Sequence, residues 1–184
     1  MAFYQKCIPQ SYSASIFDID YKELQKQGIS ALFFDLDNTI IGYDEIELHE
    51  KHIELIKSLS KEFKVVVLSN TSYQRVSKAL VGVDVLFIWH ATKPLKRGYK
   101  KALKMISLKK ENVLMIGDQL MTDIFGANRV GIKTILVKSV KRKSDRKVTK
   151  FNRKIENFVL KRIEKKYPDL YNERLKQYVK DHTL

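Results

Sequence analysis

Cysteine is almost missing from this chain: Cys7 is the only one in 184 residues. A lone thiol forms no intrachain disulfide and no cysteine-based zinc site, so a disulfide-stapled fold is excluded and a reducing cytoplasmic setting is expected. Long apolar runs are missing as well. A bilayer span needs about 18 consecutive apolar residues, whereas the longest run here is near Val85-Leu86-Phe87-Ile88-Trp89. Lys6 has no long apolar stretch behind it, and Asp18 and Asp20 follow, so no signal peptide is expected. Glycine and proline are scarce, at 7 and 3, which excludes collagen-like and low-complexity chains.

Apolar residues make up 44% of the chain and charged residues 30%, a globular balance. The length fits a single domain, residues 1–184, with a core buried without staples. Net charge is +14 and unevenly placed. Residues 138–184 carry 16 Lys/Arg against 6 Asp/Glu, so this tail holds +10 of the total. Such a tail suits a polyanionic partner, either nucleic acid or an anionic membrane surface, or else a solvated helical face.

Five short apolar runs read as buried strands of a parallel sheet: Ala31–Leu36, Lys64–Ser69, Asp84–Trp89, Asn112–Gly117 and Lys133–Lys138. Helical patterns separate them, through Leu48, Ile53, Ile56 and Leu59, through Gln74–Leu80, through Leu95, Tyr99, Leu103 and Ile106, and through Leu120–Val130. Pro94 is suited to a first helical position. Alternating strands and helices predict an α/β fold with a five-stranded parallel sheet between two helical layers. The catalytic core is expected over about 29–138 and a basic helical extension over about 139–184. Within the extension, Ser139–Lys147 reads as a loop. Val148, Phe151, Ile155, Phe158, Val159 and Ile163 then mark an amphipathic helix that Pro168 breaks.

Ligands of open α/β sheets bind beyond the carboxyl ends of the strands. After the first run stand Asp35 and Asp37, two residues apart and on one face if the chain is still extended. Paired carboxylates call for a cation or a shared proton, and oxygen ligands favour a hard ion such as Mg²⁺. After the second run come Ser69 and Asn70, able to bind a phosphate or simply to cap a helix. After the third comes Lys93, a point charge for phosphate oxygens or one surface lysine among many. After the fourth come Gly117, Asp118 and Asp123. Each signal alone is modest; their succession at four strand ends points to one assembled site. His49, Glu50 and His52 lack the spacing of a His-Glu-x-x-His zinc site and read as a helix face.

Asp35-x-Asp37-x-Thr39, Ser69, Lys93 and Gly117-Asp118-x-x-x-x-Asp123 together resemble the four motifs of the haloacid dehalogenase (HAD) phosphohydrolases, a three-layered Rossmann-like fold. Ser15–Asp20, Ala91-Thr92-Lys93-Pro94, Gly117-Asp118-Gln119 and Phe151-Asn152-Arg153 are similar to the YqeG branch, which includes phosphatidylglycerophosphate phosphatases. The resemblance implies a catalytic set of Asp35 as nucleophile, Asp37 as acid and base, and Lys93. It implies phosphate binding by Thr39, Ser69, Asn70 and Lys93, and Mg²⁺ held by Asp35, the Asp37 backbone carbonyl and Asp118, with Asp123 as a further ligand or support.

Many relatives enclose a small substrate under a cap domain inserted after the first or second motif. Residues 40–68 and 71–92 must already hold sheet-domain elements, which leaves no room for an insert of about 50 residues. An open site suits a large substrate, and the expected one is an anionic phospholipid met from the cytoplasmic side, the enzyme lying peripherally on the membrane. The tail is expected either to enter the interface through Phe151, Ile155 and Phe158 or to pack those residues on the core. Soluble phosphate esters, a phosphoprotein, or an RNA- or ribosome-binding role are the alternatives. The oligomeric state stays open.

Overall fold

A computed structural model describes residues 2–140 and 147–183, without the side chains of 147–154 and 183. In chain order the elements are β1 (Ser11–Ser13), α1 (Tyr21–Lys26), β2 (Ala31–Phe34), α2 (Glu50–Glu62), β3 (Lys64–Leu68), α3 (Tyr73–Ala79) and β4 (Leu86–Ile88). Next come α4 (Lys96–Ile106), β5 (Val113–Gly117), α5 (Phe125–Val130), β6 (Lys133–Val137), α6 (Lys147–Lys166), α7 (Pro168–Arg174) and α8 (Lys176–Thr183).

The strands form one parallel sheet in the order β1-β6-β5-β2-β3-β4. Alternate side chains of the central strands feed opposite faces. Leu32, Phe34, Val65, Val67, Leu114 and Ile116 meet α2 and α3 through Ile56, Leu59 and Val76. Ala31, Phe33, Val66, Leu68, Val113 and Met115 meet α4 and α5 through Tyr99, Ala102, Ile106 and Ala127. This double burial is why these strands read as continuous apolar runs, and it makes the fold a helix-sheet-helix sandwich.

The sheet has six strands rather than the expected five. The extra strand, β1, is the polar tripeptide Ser11-Tyr12-Ser13, paired with β6 by main-chain bonds that leave no apolar signature. The run Asp84–Trp89 is shorter and wetter than expected. Its strand is an edge strand, with Leu86 46% exposed. Pro94 does not open α4; it lies in a turn, joined to Lys93 by a cis peptide bond, and Leu95 caps the helix.

The chain between Asp37 and Ser69 is filled by α2 and β3, and that between Asn70 and Thr92 by α3 and β4. No cap domain is present among the described residues. The apolar face of the tail packs on the core. Val159, Leu160, Ile163, Leu175 and Tyr178 are buried with Cys7, Leu120, Ile124 and Leu136, and Ile155 packs against them. Tyr12 donates to Asp181 at 2.6 Å, and Tyr178 donates to Glu156. Phe158 points away at 65% exposure. The side chains of Val148 and Phe151, and residues 141–146 of the expected loop, lie outside the described residues. No helix among the described residues is long and apolar enough to cross a membrane.

Candidate active site

Strand order reverses between β5 and β2, the point at which an open parallel sheet leaves a crevice. Asp35 stands at the end of β2, its N–H still donating to Ile116 of β5 at 2.9 Å. The chain then turns sharply. Asn38 takes a left-handed φ of 68°, which asparagine tolerates better than most residues. Its N–H donates to the Ile41 carbonyl at 2.6 Å. The turn swings Thr39 back over the site, where its hydroxyl lies 3.3 Å from both Asp35 Oδ2 and Asp118 Oδ1. One hydroxyl proton serves only one of these carboxylates at a time, so Thr39 bridges the pair without neutralising it.

The same turn separates the two first-motif aspartates. Asp35 Oδ1 takes an ion pair from Lys93 Nζ at 2.5 Å, deep in the site. Asp37 faces α3 instead and accepts from Arg75 Nη2 at 2.9 Å. Arg75 also donates to the carbonyls of Gly42 at 3.3 Å and Ile46 at 3.2 Å, tying the loop after Asp37 to α3.

Lys93 reaches the centre because its main chain is held. Asn70 accepts from Lys93 N–H at 2.7 Å and donates to the Lys93 carbonyl at 2.9 Å. Asn70, expected at the phosphate, is thus engaged by the Lys93 backbone. Ser69 is buried at the end of β3, its hydroxyl accepting from Thr71 N–H at 3.2 Å. Lys93 Nζ also meets Asp123 Oδ1 at 2.7 Å. Burial alone would lower the pKa of this ammonium, but Asp123 and Asp35 together raise it, so Lys93 is charged.

Asp123 sits in a π-helical turn, Leu120–Ile124, a form common at functional sites. Its Oδ2 accepts from Gln119 N–H at 3.1 Å. Gly117 makes room for it: a Cβ there would lie 2.5 Å from Asp123 Cβ and Cγ. Burial, reinforced by Asp35, pushes the Asp123 carboxyl up to about 6 against the pull of Lys93. Oxygens of Asp35, Asp118 and Asp123 all lie within 4.8 Å of one another, and all three residues are buried. Set against Lys93, three ionised carboxylates leave two uncompensated negative charges. At 4 Å, two like charges repel by about 4 kcal/mol even at an effective dielectric constant of 20. The donor set, all hard oxygen, therefore fits a divalent cation such as Mg²⁺.

The HAD-hydrolase-like family model matches residues 90–164. The Bacillus subtilis protein named "Probable phosphatase YqeG" is 34% identical over 160 residues, 86% of this chain and 92% of that protein. The chain belongs to the HAD-like phosphatases. A second relative, "Phosphatidylglycerophosphate phosphatase 1, chloroplastic/mitochondrial" of Arabidopsis thaliana, is 25% identical over 156 residues, 78% of this chain but 44% of that protein. Among solved structures, the HAD family enzyme bt-2542 of Bacteroides thetaiotaomicron superposes with a TM-score of 0.52 at 13% identity. It covers 62% of this chain and 96% of that one, a likeness of fold.

Three residues of this HAD-like phosphatase escaped the reading of strand ends. Arg75 lies on a helix, where nothing in its sequence surroundings separates it from other cations. Tyr99 reads as a core position, yet its hydroxyl donates to the carbonyl of Thr122 at 2.9 Å and approaches that of Asp123 at 3.3 Å. Gly126 lets Tyr99 in, since a Cβ there would lie 2.7 Å from the phenol oxygen. The crossing of α4 and α5 thus sets the position of Asp123. A helical tyrosine shortly after a strand-end Lys-Pro was the available signal.

Proposed function

We propose that this phosphatase is a Mg²⁺-dependent phosphomonoester hydrolase that works through an aspartyl-phosphate and acts on phosphatidylglycerophosphate. The chemistry rests on one observation: three buried carboxylates and a buried ammonium converge at the switch point of the sheet. Asp35, Asp118 and Asp123 would hold the metal together with the Asp37 main-chain carbonyl, and the Asp37 side chain, placed on Arg75, would be left for proton transfer. When bound, Mg²⁺ supplies positive charge to phosphoryl oxygens in a site that is otherwise too negative to admit them.

Asp35 attacks phosphorus in line, so an Asp35 O–P bond forms as the ester P–O bond breaks. Asp37, entering the cycle as the carboxylic acid, gives its proton to the departing alkoxide; the carboxylate so formed, held by Arg75, then takes a proton from the water that attacks the acyl-phosphate, which releases inorganic phosphate and restores Asp35 and the Asp37 acid. Lys93 and the Ser69 hydroxyl meet the equatorial oxygens as charge spreads over them. Thr39 orients the carboxylates of Asp35 and Asp118.

The lipid substrate is supported by the Arabidopsis relative and by the absence of a cap among the described residues, which leaves the crevice open to a headgroup at a bilayer. The same reading puts the enzyme at the cytoplasmic face of a membrane. The test is phosphate release from phosphatidylglycerophosphate in mixed micelles, beside a panel of soluble esters. Wild type with Mg²⁺ is expected to release phosphate from the lipid, and chelation with EDTA or Asp35→Asn to abolish it. Turnover of soluble esters alone would remove the lipid from the proposal and keep the mechanism. Full activity in Asp35→Asn would overturn the mechanism.

A further inference from the structure

Of the two placements expected for the tail, the structure shows packing: its apolar face is buried against Cys7, Leu120 and Leu136. Exposed apolar surface lies elsewhere. In a parallel sheet all strands end on one edge, and the loops leaving that edge surround the crevice. Twelve large apolar side chains are exposed among the described residues, and six of them come after strand ends. They are Tyr43 and Ile46 after β2, Tyr73 after β3, Trp89 and Leu95 after β4, and Val140 after β6.

The six belong to one rim. Arg75 holds the Ile46 carbonyl at 3.2 Å, and its helix starts at Tyr73. The Tyr73 ring stands edge-on to Trp89 with centroids 5.1 Å apart. Val140 N–H donates to the Asn38 carbonyl at 2.9 Å, inside the first-motif turn. Leu95 lies two residues beyond Lys93. The loops that deliver Asp35 and Lys93 to the site are therefore the loops that expose apolar side chains around it.

On its α4 side the rim is cationic, while Asp44 and Glu47 are exposed beside Tyr43 and Ile46. Lys101 Nζ lies 5.3 Å over the Trp89 ring. Lys96 and Arg97 occupy the first turn of α4, which holds no acidic residue, and Lys100 is exposed one turn on. Cations at a helix N-terminus oppose the helix dipole, so this placement costs stability unless an anion meets it. Aromatic rings beside aliphatic and basic side chains are the composition of a bilayer interface. A single-stranded nucleic acid would use rings and cations too. Ile46, Leu95 and Val140 offer it no ring to stack on, whereas each suits acyl chains.

We propose that this rim docks the enzyme on an anionic phospholipid bilayer, so that the crevice opens directly onto the headgroups. The proposal builds on the lipid reading above but concerns a separate property, adhesion of the mouth. Trp89 is the only tryptophan in the chain, which makes the surface self-reporting. Phosphatidylglycerol vesicles, free of any phosphomonoester, are expected to shift its emission to the blue and to shield it from acrylamide at least twofold. Phosphatidylcholine vesicles should do neither.

The double substitution Ile46→Ser with Leu95→Ser is expected to weaken vesicle sedimentation at least tenfold while p-nitrophenyl phosphate turnover persists. Lys161→Ser with Lys165→Ser and Lys166→Ser, on the tail, should keep the Trp89 shift. Sedimentation with vesicles and no change at Trp89 would overturn the proposal, as would loss of binding in the tail variant alone. A shift produced by poly-uridine but not by vesicles would overturn it in favour of nucleic acid. Docking without release of phosphate from phosphatidylglycerophosphate would leave this surface standing and remove the substrate. Release from detergent micelles without docking would do the reverse.

Discussion

At the scale of single residues, the site depends on close approach more than on the charged groups themselves. Asp123 is where it is because residue 117 has no Cβ, the distance to one being 2.5 Å. Gly117→Ala must therefore push Asp123 away from Lys93. Misplacement by about 1 Å can cost about 100-fold in rate, so activity should fall by that order while the circular-dichroism spectrum stays native. A fully active Gly117→Ala enzyme would mean Asp123 is dispensable. Under the proposed mechanism Arg75 is a positioning residue, acting through Asp37 and the loop carbonyls of Gly42 and Ile46. General acid-base catalysis supplies roughly 10²–10⁴-fold, and Arg75→Ala should forfeit a share of it, about tenfold in kcat with KM little changed. Arg75→Lys should restore only part, because a lysine cannot fork between a carboxylate and two carbonyls. An effect on KM alone would instead place Arg75 at the substrate. The aspartates, Ser69 and Lys93 were legible because strand ends mark them in the chain. Arg75 was not, because its meaning lies in a partner 38 residues away.

At the scale of elements, the tail behaves as a third layer of core. Ile163 is fully buried, and a large-to-small change at such a site costs about 2–5 kcal/mol. Ile163→Ala should lower the melting temperature by roughly 2–4 °C per kcal/mol. Cys7 reports on the same packing. Burial, aided by Glu156, pushes its thiol up to about 12, so the nucleophilic thiolate is scarce. Native protein should resist a maleimide for hours, and Ile163→Ala should label faster. Immediate labelling of the wild type would show that the tail does not cover Cys7. The amphipathic period of α6 was plain in the sequence, but a period says which face is apolar and not what covers it. Strand β1 was invisible for a different reason: an edge strand bonded through its main chain needs no apolar code.

At the scale of the whole molecule, stability should depend on pH through His52. Burial, then Lys51 and His49, lowers its pKa below the usual 6.5, against a smaller pull from Glu45. The buried Nδ1 has no hydrogen-bond partner among the described residues, and the Phe17 ring lies 5.2 Å away. The unfolded chain thus takes up a proton near pH 6.5 that the folded chain resists. Stability from this group is present above that pH and is lost as pH falls toward the folded value. The melting temperature should drop from about pH 7.5 to about pH 5, and that of His52→Phe should drop less. Equal slopes in the two proteins would remove His52 as the cause. Over the same whole, the sequence by itself determined the order of five of the six strands with the helices between them, and the chemistry at their ends. Double burial writes apolar runs into the chain, and catalysis writes carboxylates beside them. Only the tertiary structure decided that Asp37 parts from Asp35, that Asn70 serves Lys93 and that the tail turns inward. Each of those depends on which surfaces meet across the sheet, and residues far apart in the chain carry no local mark of their neighbours.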